Sequence, residues 1–92
     1  MTDILDQAWQ PSPDAFANAV GNELVLLQIK RGTYYGMDPL ASRIWKGMNE
    51  GQSVRQICSN IAREYDAPLA QVEEDTRRFL EDLRTNEIII AA

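Results

Sequence analysis

Leu24-Val25-Leu26-Leu27-Gln28-Ile29-Lys30-Arg31-Gly32-Thr33-Tyr34-Tyr35-Gly36-Met37 is the stretch on which the reading of the fold turns. From Glu23 to Ile29 it is apolar at nearly every step and branched at Val25 and Ile29, which predicts a strand with helices over one face and other cover on the second. Gly32 supplies the positive φ that a short hairpin loop often needs, so Thr33 to Met37 is expected to fold back antiparallel. Working upstream, Phe16 and Val20 suit a first strand over Ala15 to Val20, and Gly21-Asn22 reads as the tight turn that joins it to the second. The three strands form a meander.

Downstream the period changes from two to four. Asp38-Pro39 is a helix start, because Asp caps free first-turn amides and Pro is tolerated at the first helical position. Leu40, Ile44 and Met48, with Ala41 and Trp45 beside them, make one apolar stripe over Pro39 to about Asn49. After Gly51, Ser53-Val54-Arg55-Gln56 has the pattern of a reciprocal capping box, and Val54, Ile57, Cys58, Ile61, Ala62 and Tyr65 continue a second helix to about Tyr65. Asp66-Ala67-Pro68 interrupts it. Leu69, Val72, Thr76, Phe79, Leu80 and Leu83 then mark a third helix that Asn86 is expected to end. Ile88-Ile89-Ile90 is too short for an independent element and is expected to dock on the core.

A chain of 92 residues supports one core. Met1 to Asp14 lacks periodicity and contains Pro11-Ser12-Pro13, so residues 1–14 read as a flexible arm and residues 15–92 as the domain. A lone Trp9 in such an arm more often packs back on its own domain than anchors a partner. Fourteen acidic against nine basic residues give a net charge of -5, which repels nucleic acid and anionic membranes alike. No apolar run is long enough to span a bilayer, and the acidic N-terminus is unlike a signal peptide. With one Cys and no His, neither an internal disulfide nor the common zinc arrangements are available, and a reducing cytoplasm fits best.

Few groups suggest catalysis. Cys58 has no His to activate it and lies on the apolar stripe of the second helix, as a buried small hydrophobe would. Glu73, Glu74, Asp75, Glu81 and Asp82 alternate with Arg77, Arg78 and Arg84 at helical spacing, the pattern of a solvated ion-paired face rather than of a metal site. The same acids argue against a winged helix that reads DNA, since a recognition helix needs a basic face. No metal, cofactor or catalytic residue is expected. The third predicted strand, however, lies at the edge of the sheet, and free backbone groups there are able to pair with an extended peptide. The guest's side chains would fall into a groove beside the third helix, where Val72, Asp75, Thr76 and Phe79 lie within two turns. Self-pairing into a homodimer through such an edge stays open.

The run from Leu26 to Asp38, then Ala41 with Ile44-Trp45, Gly51-Gln52-Ser53-Val54 with Ile57, and Asp75 with Phe79-Leu80 and Leu83, resembles the PqqD-like family of precursor-peptide recognition elements. The resemblance covers roughly Ala15 to Ile90. It implies an α+β, winged-helix-like fold in which a three-stranded antiparallel sheet is followed by three helices, and a non-catalytic role in capturing the leader segment of a ribosomally made precursor. The stand-alone members of lasso-peptide clusters are most similar, and these work beside a separate leader peptidase. The quinone-cofactor branch, which assists a radical enzyme, has a Pro-Glu-containing segment after the double leucine where this chain has Gln28-Ile29-Lys30. Carried onto this sequence, the peptide-binding residues are Gly32, Thr33, Tyr34, Tyr35 and Gly36 on the strand and Val72, Asp75, Thr76, Phe79 and Asp82 on the helix, with Arg78 placed to pair with an acidic leader side chain.

Overall fold

The computed structural model describes residues 2–21 and 23–92. Strands β1 (Trp9–Pro11), β2 (Ala15–Val20), β3 (Glu23–Gln28) and β4 (Thr33–Met37) precede helices α1 (Pro39–Asn49), α2 (Val54–Glu64) and α3 (Leu69–Thr85), and β5 (Ile89–Ala91) closes the chain. β2, β3 and β4 form the expected antiparallel meander, with Leu26 opposite both Ala17 and Tyr35. Gly21 and Gly32 take the positive φ their turns require, while Asn22 of the first turn lies outside the described residues. The meander followed by three helices is the α+β arrangement expected from the sequence.

Alternation along the strands decides which face meets the helices. Leu26, Gln28 and Met37 are buried on one face, where they join Ile44, Trp45, Val54, Ile57, Cys58, Ile61, Leu80 and Leu83 in the core. The other face carries Phe16, Leu27 and Tyr34 in one cross-strand row. Cover over this second face was expected, and the described residues do not provide it: Phe16 is 51% exposed, Ile29 64% and Tyr34 77%.

The expectation of an irregular arm at residues 1–14 is corrected. A single 3-10 turn at Ile4–Asp6 buries Leu5 in the core, and β1 pairs antiparallel with β5, Trp9 opposite Ala91 and Pro11 opposite Ile89. Pro11 is compatible with this two-stranded sheet because a strand with a free side does not need every amide. Trp9 packs on its own domain, and its Nε1–H donates to the Ile4 carbonyl at 3.0 Å. Ile88 and Ile89 are both buried.

Local signals set the helix ends. The Ala41 N–H donates to Asp38 Oδ1 at 2.7 Å, with Pro39 at the first helical position. Ser53 Oγ accepts from the Gln56 N–H at 3.1 Å, but the Gln56 side chain donates to Asn60 instead of returning to the cap, so only half of the capping box forms. α3 ends at Asn86 as expected, its Nδ2 donating to Asp82 O at 2.8 Å, and the next residue, Glu87, takes the left-handed conformation at φ 57°. The Ile88 N–H then reaches Leu83 O at 2.8 Å and the Glu87 N–H reaches Arg84 O at 3.1 Å, the paired bonds of a Schellman turn. α1 and α2 approach closely at Gly47, where a Cβ would lie 2.7 Å from Ile57 Cδ1.

Candidate peptide-binding groove

Among the described residues β4, like β2 at the opposite edge of the sheet, has a strand partner on one side only. Its free backbone groups follow from the ladder: the Ile29 N–H donates to the Asp14 carbonyl at 2.9 Å, so odd-numbered residues of β3 point their backbone groups at β2 and even-numbered ones point at β4. Across the register Gln28–Thr33 and Leu26–Tyr35, the odd-numbered residues of β4 are thereby engaged. Tyr34 and Gly36 are left with N–H and C=O directed to the open side.

Beside this edge lies a trough of about 370 Å³. Tyr35 and Gly36 form its β4 wall, Asp75, Thr76, Arg78, Phe79 and Asp82 its α3 wall, and Asp38, Leu40, Ala41 and Ile44 its α1 wall. Tyr35 is half-buried because its position on β4 faces the helices, and its ring meets that of Phe79 at a centroid distance of 6.1 Å and a tilt of 53°. Thr76 is buried, its hydroxyl donating to the Val72 carbonyl at 2.7 Å. Val72 belongs to the core and is not part of the lining. Thr33 and Tyr34 lie along the edge and Gly32 in the turn before it, none of them in the trough.

The helix wall thus comes from two helices. Sequence reasoning took Asp38 as a helix cap and Leu40, Ala41 and Ile44 as part of an apolar stripe, and named none of them as groove lining. The available signal was that α1 starts one residue after β4, so its first turns have to stand beside the open strand.

Charge is unevenly distributed in the trough. Arg78 is ion-paired with Asp75 within one turn of α3, and Asp75 also accepts from Gln71 at 2.9 Å. Asp38 and Asp82 have no ion-pair partner among the described residues. The Tyr35 phenol is pushed up from its ordinary value, by burial first and then by the negative charges of Asp82 and Asp38.

The remaining surface offers less. A larger depression of about 640 Å³ opens between the β2–β3 turn and α1–α2, beside the end of the other edge strand β2 at Ala19, and its walls carry Glu23, Arg43, Lys46, Glu50 and Asn60. Cys58 is buried, and burial raises its thiol pKa, which suppresses the thiolate needed for chemistry. Among the described residues no group of three or more His, Cys, Asp or Glu is placed to hold a metal. Nor is any helix long and apolar enough to cross a membrane.

A three-stranded meander whose edge strand β4 stands open beside two helices defines a small winged-helix-like module with a linear groove. A model of the family described as Coenzyme PQQ synthesis protein D (PqqD) matches residues 23–89, and the chain belongs to that family. Among solved structures, TbiB1 in complex with the TbiA(beta) leader peptide is 35% identical, with a TM-score of 0.79 over 87% of this chain and 93% of that one. Lasso peptide synthetase B1 complexed with the leader peptide is 19% identical, with a TM-score of 0.84 over 90% of this chain and 98% of that one, a likeness of fold. Comparison with curated proteins gives no match.

Proposed function

We propose that this protein is a non-catalytic recognition module that captures the leader segment of a ribosomally made precursor peptide in lasso-peptide biosynthesis. The leader adds to β4 as a fourth strand, pairing with the free backbone groups of Tyr34 and Gly36, and seats alternate side chains against Tyr35 and Phe79. Strand pairing supplies sequence-tolerant affinity, and the trough supplies selectivity. Gly32, Thr33, Tyr34, Tyr35 and Gly36 act along the edge. Asp75, Thr76, Arg78, Phe79 and Asp82 act from α3, with Val72 supporting them from beneath.

The observation that carries this reading is the open side of β4 lying directly over a partly apolar trough, in a chain similar at 35% identity to a protein solved with a leader peptide. The module hands its cargo to a separate leader peptidase. The apolar row Phe16, Leu27 and Tyr34 on the uncovered sheet face suits that enzyme, because an added leader strand would extend the same face and both would be read together.

The family description favours a second reading, a peptide chaperone of pyrroloquinoline quinone synthesis beside a radical enzyme. Against it stands Gln28, at the position where that branch departs. Here Gln28 is a buried tie, its Nε2 donating to Glu87 O at 2.7 Å and its Oε1 accepting from the Lys30 N–H at 3.0 Å. DNA binding is disfavoured because the arginines of α3 are committed: Arg77 to Asp3 and Glu74, Arg78 to Asp75, Arg84 to Glu81.

Titration of the 15N-labelled protein with the leader of the precursor encoded beside its gene, and separately with duplex DNA at low salt, tests the assignment. The expected result is peptide-induced protection of the Tyr34 and Gly36 amides, with no response to DNA. Protection elsewhere with β4 unaffected, or tight DNA binding, overturns it.

A further inference from the structure

The trough has a charge preference of its own. Three carboxylates, Asp38, Asp75 and Asp82, line it against one guanidinium, Arg78, which Asp75 already holds. The two remaining carboxylates stand on different walls of the trough, Asp38 just before α1 and Asp82 on α3, with Tyr35 on the β4 wall close enough for both to act on its hydroxyl. Asp38 also accepts from the Ala41 N–H, which leaves its second oxygen without a hydrogen bond among the described residues. A guest strand on β4 passes along this pair, so its side chains meet an apolar floor flanked by uncompensated negative charge.

We infer that the trough selects a leader in which a Lys or Arg stands next to the apolar anchor residue, the cation seated between the carboxylates of Asp38 and Asp82. This rests on the proposed leader-binding role and adds a determinant to it. A long basic side chain suits the site twice over: its methylenes lie against Tyr35 and Leu40, while its charged end reaches the exposed rim. An acidic leader residue at the same place would face two unpaired carboxylates and be rejected.

The test is to pan the purified protein against a displayed library of short random peptides and to repeat the panning with the Asp38→Asn/Asp82→Asn variant. Asn keeps the side-chain oxygen that caps α1, so the fold is retained. Enrichment of Lys or Arg at a fixed spacing from an aromatic or aliphatic anchor, lost in the variant while the anchor persists, supports the inference. Selected peptides should then bind Asp82→Asn roughly two- to fivefold more weakly at low salt, a difference that shrinks at high salt. Asp82→Lys should shift the preference to Glu or Asp. Enrichment of anchors without a basic residue overturns the inference and leaves groove binding standing, whereas the absence of any peptide that protects the β4 amides overturns both.

Discussion

Tyr34 turns its N–H away from β3, so the meander does not depend on that donor. Proline at this position removes a group that only a guest strand would use, on an edge where proline is tolerated. Tyr34→Pro should therefore keep the native circular dichroism spectrum and weaken leader binding by about tenfold, the equivalent of one lost backbone hydrogen bond. Unchanged affinity in the folded variant would place the leader elsewhere. At the neighbouring residue the side chain matters instead: Tyr35 faces the helices and meets Phe79, and the two rings shape the trough.

At the level of elements, the ends of the helices show what side-chain type does and does not foretell. Asp38 and Ser53 cap α1 and α2 as their spacing announced. Asn86 caps the end of α3 as expected, while the left-handed backbone falls one residue later, on Glu87, where the chain turns to bury Ile88. Glu87→Gly should accordingly raise stability by about 0.5–1 kcal/mol in urea unfolding, since a left-handed conformation strains any residue with a Cβ. The exposed Arg31–Glu87 pair, at 3.8 Å, loses little in exchange. The meander and the three helices were legible because their apolar periods run for five residues or more. β1 and β5 were not, because three-residue strands carry no period and Pro11 argues locally against one. The groove was half legible: β4 was expected at the sheet edge and the α3 stripe pointed toward it, while the α1 wall had to be read from the single residue, Asp38, that separates β4 from α1.

Across the whole molecule, charge fastens the N-terminal segment to the helices. Arg55 on α2 bonds Asp6 at 2.8 Å and Glu73 at 2.7 Å, and Arg77 on α3 holds Asp3 at 2.8 Å. The Arg77 hydrogen bond holds the Asp3 carboxyl down to about 2, and Arg55 lowers that of Asp6. Because both acids titrate lower when folded than when free, their contribution is complete above the ordinary carboxylate range and fades as pH falls from about 4 toward 2. Acid titration followed by Trp fluorescence should show release of the Trp9 segment in that window. The transition should weaken in Arg55→Gln/Arg77→Gln, whose segment is looser at neutral pH as well; an identical profile in that variant would remove these pairs as its cause.

Since Trp9 lies directly across from Ala91, incoming and outgoing backbone travel together through one small ribbon. Because the backbone ahead of Trp9 still has to bury Leu5 and reach Arg77 through Asp3, a circularly permuted version should retain the native architecture when its Gly-Ser bridge joins Ala92 to Thr2, and lose it when the bridge runs straight across the ribbon to Trp9.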